Sequence, residues 1–452
     1  MNETIAGILQ EFSLDLYRPI VPRQLDLGEP LEPRAGNLVK VVTGMRRSGK
    51  SYRLFQEMDA LLAAGVPEDH ICYFNFEDSR VAPVTHATGD EVLDTFQYLH
   101  PSLKPGDGIY LFFDEMQEME DWGGWLRRIV DTRKATIYVT GSSSKMLSSE
   151  IATEFRGRAL DFELFPYSFR EVAQQKEELA TLVDKPAFSE TQQAQLSGAF
   201  DQYLQKGGFP AVQDLPRPQA NELLQSYVQR VVSRDVVERR ELARPNVAAA
   251  CAQRLLAMNG RQLSVRKMEN DLRSSGLNSG RGYLAELISA FEEAFLIFQI
   301  KEFSRSLAEG GNAQTKVYAI DPGLALANSR ANVNDAGQRL EDAVYLELRR
   351  RLPGSRLGSI STMRTKAHGY EIDFVVGDVF DGGVNMVIQV TDSLDDETTK
   401  RRELRALREA LDETGNPEGL LIVRNGEDAV YEQDGKKIVQ VPAWEWMLGR
   451  EE

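Results

Sequence analysis

The chain contains few of the residues that build disulfide scaffolds or membrane segments. It has two cysteines among 452 residues, and Cys72 and Cys251 lie far apart in the sequence. This argues against a disulfide framework, and we expect a reduced protein with two buried thiols. No apolar run approaches the roughly 20 residues that a membrane helix needs. The first residues lack the basic start and apolar core of an export signal, so we expect a cytoplasmic protein with no membrane partner.

Positive charge is also scarce. The formal net charge is −16, which argues against a surface built for nonspecific binding to nucleic acid. Basic residues cluster locally, for example at Arg349–Arg351. Acidic residues lie close to them, so these clusters predict solvated helix faces.

What is present is typical of a globular protein of two to three domains, with 42% hydrophobic and 27% charged residues. From Leu38 to Thr140 strand and helix patterns alternate, which predicts an α/β fold with a parallel sheet covered on both faces. After Pro166 the pattern becomes mostly helical. Strands return from about Lys316, which predicts a second, smaller α/β domain.

The strand Leu38–Val42 runs into a G-x-x-x-x-G-K-S loop followed by a helix. Glycines in such a loop let successive N–H groups point inward and cradle phosphates. The lysine interacts with the β- and γ-phosphates, and the serine hydroxyl is a Mg²⁺ ligand. Two interpretations stay open for the bulky residues inside the loop: further phosphate contacts, or exposure to solvent. The predicted nucleotide-binding residues are Gly44, Met45, Arg46, Arg47, Ser48, Gly49, Lys50, Ser51 and Tyr52.

A second motif supports the first. The apolar strand Ile109–Phe113 ends in the carboxylates of Asp114 and Glu115. We expect Asp114 to hold Mg²⁺ through water and Glu115 to polarise the attacking water, with Lys50 as the catalytic cation. The two motifs together predict that ATP and Mg²⁺ are the substrate and cofactor.

These residues resemble a known family, the bacterial and archaeal AAA+ ATPases that carry a C-terminal domain of unknown function. The resemblance covers nearly the whole chain. It rests on segments Thr43–Ser51, Phe74–Asp78, Phe113–Gln117, Thr140–Ser143, Gly157–Pro166, Gly207–Pro210, Lys316–Gly323, Glu371–Phe374 and Ile388–Thr391.

The resemblance implies further site residues. Ser142 or Ser143 takes the place of a polar sensor near the γ-phosphate. Two interpretations stay open for Arg156 and Arg158: an arginine that reaches the nucleotide of its own or a neighbouring subunit, or a surface or core-pairing arginine. Gly208 and Pro210 belong to a lid element near the adenine; their alternative interpretation is a helix-breaking turn. Relatives of this type often form rings, so we expect a homo-oligomer.

The implied architecture has four parts: an AAA+ P-loop ATPase domain at 1–168, a helical lid at 169–242, a winged-helix-like module at 243–305 and a restriction-endonuclease-like domain at 306–452. In the winged-helix-like module, the basic residues that offer contacts to DNA phosphates are Arg266, Lys267, Arg273 and Arg281. Acidic residues nearby dilute that charge, so a structural use of the module is favoured over DNA binding.

The nuclease-like domain departs from its pattern. That chemistry needs a helix glutamate, a strand aspartate and an E-x-K motif on the next strand. Glu341 and Asp373 supply the first two. Gln389 stands where an acid is needed and Thr391 where the lysine is needed, and neither replaces the missing metal ligand or charge. We therefore predict a degenerate nuclease site used for binding or assembly.

Three functional hypotheses follow. The first is an ATPase that uses Mg²⁺-dependent ATP binding and hydrolysis to move its C-terminal domains. The second is a DNA-binding or DNA-processing ATPase with a metal-dependent nuclease-like domain. The third is a regulatory nucleotide-binding scaffold, with a protein partner and negligible turnover.

Overall fold

A computed structural model describes residues 2–104, 106–142, 157–238, 242, 244–303, 314–329, 335–352, 360–377 and 383–449. The chain divides into two compact units. The first comprises Met1–Phe165 with Glu293–Phe295, and the second comprises Pro166–Glu292 with Leu296–Glu452. No helix within the described ranges is both long and apolar enough to cross a bilayer.

The first unit is built on a five-stranded sheet. Its strands are β1 (Val39–Thr43), β2 (Ile71–Asn75), β3 (Ile109–Asp114), β4 (Ala135–Gly141) and β5 (Ala159–Glu163). The order is β2-β3-β4-β1-β5, and every neighbouring pair is parallel. Strands β1 and β4 are buried along their whole length because they lie inside the sheet and helices cover its faces. The predicted parallel sheet is confirmed.

The helices of the first unit alternate with its strands along the chain. They are α1 (Glu3–Glu11), α2 (Lys50–Ala63), α3 (His86–Leu99) and α4 (Trp122–Thr132). One face of α2 packs into an apolar core with Leu14 and Leu27 of the N-terminal segment and Val42 of β1. The N-terminal segment is therefore part of this core.

The second unit begins with helices α5 (Phe169–Gln175), α6 (Glu177–Ala180), α7 (Glu190–Lys206) and α8 (Arg217–Arg230), which continues as a π-helix over Val231–Glu238. Ser168 and Ser189 start α5 and α7 with capping boxes. The helical region predicted after Pro166 is confirmed, although the compact units divide at Phe165 and not at the expected residue 168.

A small mixed module follows in the chain. Its elements are α9 (Pro245–Ala257), β6 (Arg261–Gln262), α10 (Val265–Ser274), α11 (Arg281–Glu293), β7 (Ile297–Lys301) and β8 (Thr315–Ala319). The three strands form an antiparallel sheet in the order β6-β8-β7. The boundary expected at 305/306 therefore falls between two paired strands. We had assigned Lys316–Ile320 to the C-terminal domain, but β8 completes this module because it pairs with β7 and β6.

The C-terminal part contains α12 (Pro322–Asn328), α13 (Ala336–Arg351), α14 (Glu397–Thr414) and α15 (Ala443–Met447). Its six strands are β9 (Ile360–Arg364), β10 (Glu371–Gly377), β11 (Val384–Ser393), β12 (Glu418–Asn425), β13 (Ala429–Gln433) and β14 (Lys436–Pro442), in the order β13-β14-β12-β11-β10-β9. Strands β9, β10 and β11 are antiparallel, whereas β11, β12 and β14 are parallel. Helix α14 covers one face of this sheet through an apolar cluster.

Candidate active site

The phosphate loop connects the end of β1 to the start of α2. Gly44, Arg47 and Gly49 all have positive φ angles, of 156°, 71° and 99°. At Gly44 a Cβ atom would overlap the carbonyl oxygen of Leu164, so only glycine fits there. Lys50 is the first residue of α2. The loop therefore places Lys50 at the N-terminus of a helix, where unpaired N–H groups favour the binding of an anion.

The side chains of two predicted catalytic residues, Lys50 and Glu115, face each other beside this loop. The Lys50 Nζ lies 3.5 Å from the Glu115 Oε1 and 3.4 Å from the Met45 carbonyl oxygen. Both charged side chains are buried. Burial opposes ionisation of Glu115, but the charges of Lys50 and Arg46 outweigh it and hold the pKa of Glu115 below its usual value. A lowered pKa favours the ionised form of Glu115, and in this arrangement its carboxylate is paired with Lys50.

Asp114 lies at the end of β3 and is almost completely buried. Its carboxylate accepts hydrogen bonds from the hydroxyls of Thr140 and Tyr73, the latter at 3.0 Å. Burial raises the pKa of Asp114, and the charge of Glu115 raises it further. A carboxylate fixed by two hydroxyls at the sheet edge that carries the phosphate loop suits the predicted Mg²⁺ position.

Glu115 is held in an unusual backbone conformation. Its φ and ψ are 53° and 48°, a left-handed region that non-glycine residues rarely adopt. Its N–H donates to the Thr140 hydroxyl at 3.0 Å, and its carboxylate accepts from the amide of Gln117. The other end of that amide accepts from the N–H of Ser142 at 3.2 Å. Gln117 therefore links the predicted base to the predicted sensor.

Three buried hydroxyls line this part of the fold without a partner. Within the ranges that the structure describes, the side-chain oxygens of Thr43, Ser48 and Ser142 make no hydrogen bond. A buried hydroxyl without a partner costs free energy, so such groups usually serve a ligand. Their place at the ends of β1 and β4 and inside the loop fits a phosphate-bearing ligand.

The other predicted loop residues differ in their surroundings. Arg47 and Tyr52 are exposed. Arg46 is buried and forms ion pairs with Glu77 at 2.9 Å and Glu118 at 3.4 Å. Burial contradicts the solvent-facing interpretation for Arg46, and its contact with phosphate stays a prediction.

Of the two arginines predicted to act on the nucleotide, the structure describes Arg158. Arg156 and Ser143 are outside the described residues. Arg158 pairs with Asp131, and its carbonyl accepts from the N–H of Val39 at 2.9 Å. Val39 begins β1 and the phosphate loop follows the other end of that strand, so Arg158 is not part of its own subunit's phosphate site. A role towards a neighbouring subunit stays a prediction.

Gly208 and Pro210 lie in the second unit, in a turn after α7. The Gly208 N–H donates to the Asp321 carboxylate at 2.6 Å, and its carbonyl accepts from the Tyr167 N–H at 2.7 Å. A Cβ atom at Gly207 would overlap Asp321, and one at Gly208 would overlap the Tyr167 carbonyl. These contacts explain the glycines by packing, and their adenine role stays a prediction.

The residues of the nuclease-like pattern are brought together in part. Glu341 and Asp373 lie on either side of Lys316, whose Nζ is 2.9 Å from Glu341 and 3.6 Å from Asp373. The Gln389 amide accepts from the Asp373 N–H at 3.4 Å and donates to Glu403 at 2.9 Å. The Thr391 hydroxyl contacts only the carbonyl of Ser393, at 3.4 Å, among the described residues.

Sequence reasoning missed several residues at these sites. Tyr73 and Thr140 fix Asp114; Thr140 lies near the end of β4, which was an available signal, whereas Tyr73 lies in the middle of β2. Arg23 donates to the Ser48 carbonyl at 2.9 Å and to the Phe165 carbonyl at 2.7 Å. Lys316 belongs to a segment that carries the family resemblance, but its place beside Glu341 was not predicted. No local pattern reveals the contacts of Arg23 or Lys316, because their partners are distant in sequence.

Comparison with known proteins gives three family matches. Residues 36–173 match an AAA domain, residues 197–335 match a domain of unknown function (DUF8612), and residues 336–444 match another domain of unknown function (DUF4143). The AAA match spans the phosphate loop, the two acidic residues and the sensor strand.

Whole-chain relatives and a solved structure are also similar. The chain is 30% identical over 420 residues to the uncharacterized protein MJ1544 of Methanocaldococcus jannaschii, covering 91% of this chain and 88% of that one. It is 26% identical over 367 residues to an uncharacterized protein of Haemophilus influenzae, covering 80% and 84%. The Walker-type ATPase PABY2304 of Pyrococcus abyssi aligns at 14% identity with a TM-score of 0.41, covering 64% and 90%.

Proposed function

This chain belongs to the same family as MJ1544 of M. jannaschii and carries an AAA-type P-loop domain. From that premise we propose that it binds ATP with Mg²⁺ and hydrolyses it to drive movement of its C-terminal modules. The observation that carries the proposal is the convergence of Lys50, Ser51, Asp114 and Glu115, with unpartnered hydroxyls beside them, at one edge of a parallel sheet. Ligands bind at this carboxyl edge in open α/β sheets.

Each residue has a part in the proposed reaction. The loop N–H groups and Lys50 bind the β- and γ-phosphates, and Ser51 and Asp114 hold the metal ion. Bound Mg²⁺ would neutralise charge that develops on the transferred phosphoryl group. Glu115 orients and deprotonates the attacking water, because it is ionised and buried beside the loop.

The pairing of Lys50 with Glu115 describes the resting arrangement. In it the lysine is shared between the Met45 carbonyl and the Glu115 carboxylate. We propose that Lys50 leaves Glu115 when it engages the phosphates, which frees the carboxylate for water. Gln117 then transmits the position of Glu115 to Ser142, the proposed sensor.

Two variants test the ATPase proposal. Glu115→Gln keeps the shape of the side chain but removes the base, so we expect ATP binding with turnover reduced about 10²–10⁴-fold. Lys50→Ala should abolish binding. Binding is measured with a fluorescent ATP analogue and turnover by phosphate release, and Glu120→Gln, an exposed glutamate close in sequence, is the control. Normal turnover in Glu115→Gln would refute the mechanism, and binding without turnover in the wild type would favour the scaffold alternative.

For residues 245–319 we propose a winged-helix-like module that serves packing. The order helix, short strand, two helices, two strands supports this topology. Arg273 and Arg281 both pair with Glu269, at 3.1 Å each, so their charges are already engaged. DNA should therefore leave the steady-state ATPase rate unchanged. A severalfold stimulation by DNA would instead favour the DNA-processing alternative.

For the C-terminal domain we propose a restriction-endonuclease-like fold without nuclease activity. Helix α13, antiparallel strands β9–β11, helix α14 and parallel strand β12 follow one another in the order that supports this fold. The amide of Gln389 and the hydroxyl of Thr391 cannot supply the acid and the lysine of the nuclease motif.

A further inference from the structure

Lys316 is a buried lysine surrounded by carboxylates from another part of the fold. It lies on β8, and its Nζ is 2.7 Å from Glu371, 2.9 Å from Glu341 and 3.6 Å from Asp373. The Lys316 side chain is 7% exposed. One ammonium group thus lies close to Glu341 and Asp373, the two acids of the nuclease-like pattern, and to Glu371 on the same strand as Asp373.

Further hydrogen bonds fix the carboxylates in this arrangement. The Tyr318 hydroxyl donates to Glu341 at 2.6 Å, and the Val390 N–H donates to Asp373 at 2.9 Å. Arg364 pairs with Glu371 at 3.2 Å. The acids are therefore positioned around the lysine by three different strands.

Lys316 is the buried cation of this cluster, and Arg364 pairs with Glu371 at its more exposed side. Burial works against ionisation of Lys316, but the carboxylates outweigh it and raise the pKa of the lysine above its usual value. Burial and the charge of Glu341 raise the pKa of Asp373 well above its usual range. Because the ammonium already lies close to all three carboxylates, the cluster gains little from another cation.

A divalent metal does not fit these residues as they stand. Mg²⁺ requires about six oxygen ligands at roughly 2.1 Å, and it usually keeps several waters. Across the part of the chain that the structure describes, no group of three or more His, Cys, Asp or Glu residues is arranged to hold a metal ion. The cavity beside Lys316 and Glu371 has a volume of about 10 Å³, which is room for about one water molecule.

We propose that the Lys316 ammonium is the resident cation of this acidic cluster, in the place where nuclease-like domains bind a divalent metal. The lysine would thereby both exclude the metal and tie β8 to the C-terminal sheet. This inference rests on the proposed nuclease-like fold and is independent of ATP hydrolysis in the first unit.

The test uses the full-length chain without nucleotide and Mn²⁺ as the probe. Lys316→Met removes the charge and should create a Mn²⁺ site at least about tenfold tighter than any in the wild type, because the carboxylates lose their cation. Lys437→Met is the matched control, since Lys437 pairs with Glu418 at 2.9 Å on the surface. Binding is followed by the electron paramagnetic resonance signal of free Mn²⁺, and the melting temperature of Lys316→Met should rise with Mn²⁺.

Several outcomes would overturn the proposal. One is a folded Lys316→Met that binds no more Mn²⁺ than Lys437→Met. Another is nucleotide-free wild type that binds Mn²⁺, or cleaves DNA with it, and loses this in Asp373→Asn. If Lys316→Met does not fold, the double variant Lys316→Met/Glu371→Gln is used, because it removes one unpaired charge. If millimolar Mn²⁺ neither binds nor stabilises this double variant, the result counts equally against the proposal. ATP binding, measured in parallel, should be unchanged throughout, so failure here is distinct from failure of the ATPase proposal.

Discussion

Arg23 is the residue whose replacement should reveal how much the phosphate loop depends on the N-terminal segment. Its guanidinium donates to the Ser48 carbonyl at 2.9 Å and to the Phe165 carbonyl at 2.7 Å, and the residue is 8% exposed. Arg23→Met would retain much of the side-chain volume but leave both carbonyls without this donor. Hydrogen bonds from a charged donor contribute about 1.5–3 kcal/mol each, so we expect a loss of about 3–5 kcal/mol in unfolding free energy.

Part of that loss should appear in ATP affinity. Ser48 lies inside the phosphate loop, and a loop without this contact samples other backbone conformations before it binds. If about 1.4–2.8 kcal/mol is needed to restore the binding conformation, the Kd for ATP rises about 10–100-fold. Arg23→Lys should lie between wild type and Arg23→Met, because an ammonium cannot span two carbonyls as a guanidinium does.

The assay pairs ATP titration with thermal unfolding of the full chain. Arg18→Met is the matched control from the same segment, since Arg18 pairs with Asp15 at 3.0 Å and with Asp59 on the exposed surface. Exposed ion pairs contribute about 0–1 kcal/mol, so this control should change little. The reasoning is refuted if Arg23→Met and Arg18→Met have the same ATP affinity and the same melting temperature.

Two further predictions concern other buried polar groups. Burial raises the pKa of Asp321 to about 6, so the folded state binds a proton more tightly than the unfolded state, and stability should fall by about 2 kcal/mol as pH rises from 4 to 6. Asp321→Asn should remove this dependence of stability on pH. The stability is measured by hydrogen exchange at the amides of Gly208 and Leu324, which donate to Asp321, and an unchanged pH dependence would contradict the assignment. Tyr73→Phe removes a donor to Asp114, so we expect the Mg²⁺ concentration for half-maximal ATPase activity to rise about 10–100-fold, whereas an unshifted Mg²⁺ titration would assign the hydroxyl a purely structural role.

Much of the first unit could be predicted because its signals are local. The loop Gly44–Ser51 and the strand Ile109–Asp114 each carry their chemistry within a few consecutive residues, and the strands β1 and β3 are rich in β-branched and aromatic residues. Strand β5 was missed because it is only partly buried and its side chains alternate weakly. Strand Thr315–Ala319 was assigned to the wrong module because its neighbours in the sheet are set by pairing, which residue patterns do not encode.

The part of the candidate site that could be predicted consists of the residues that belong to a sequence motif. Lys50, Ser51, Asp114 and Glu115 could be named because a fixed spacing places them at strand and helix ends. The environment of Arg46 could not be predicted, because Glu77 and Glu118 reach it from separate loops. For the same reason we could not predict the roles of Lys316, Arg23 and Tyr73. Each acts through a tertiary contact with a residue that is distant in sequence.

The N-terminal strap, residues 23–31, has a consequence for how the first unit folds. Arg23 contacts Phe165, which lies 142 residues later, and the Leu31 carbonyl accepts from Thr136, which lies 105 residues later. During synthesis this segment leaves the ribosome before its partners at Thr136 and Phe165. Contacts of such high sequence separation form late, because chain closure is unfavourable until the sheet exists. The ATP-binding loop should therefore reach its final conformation only after β5 has been made, which delays nucleotide binding until the whole unit is synthesised.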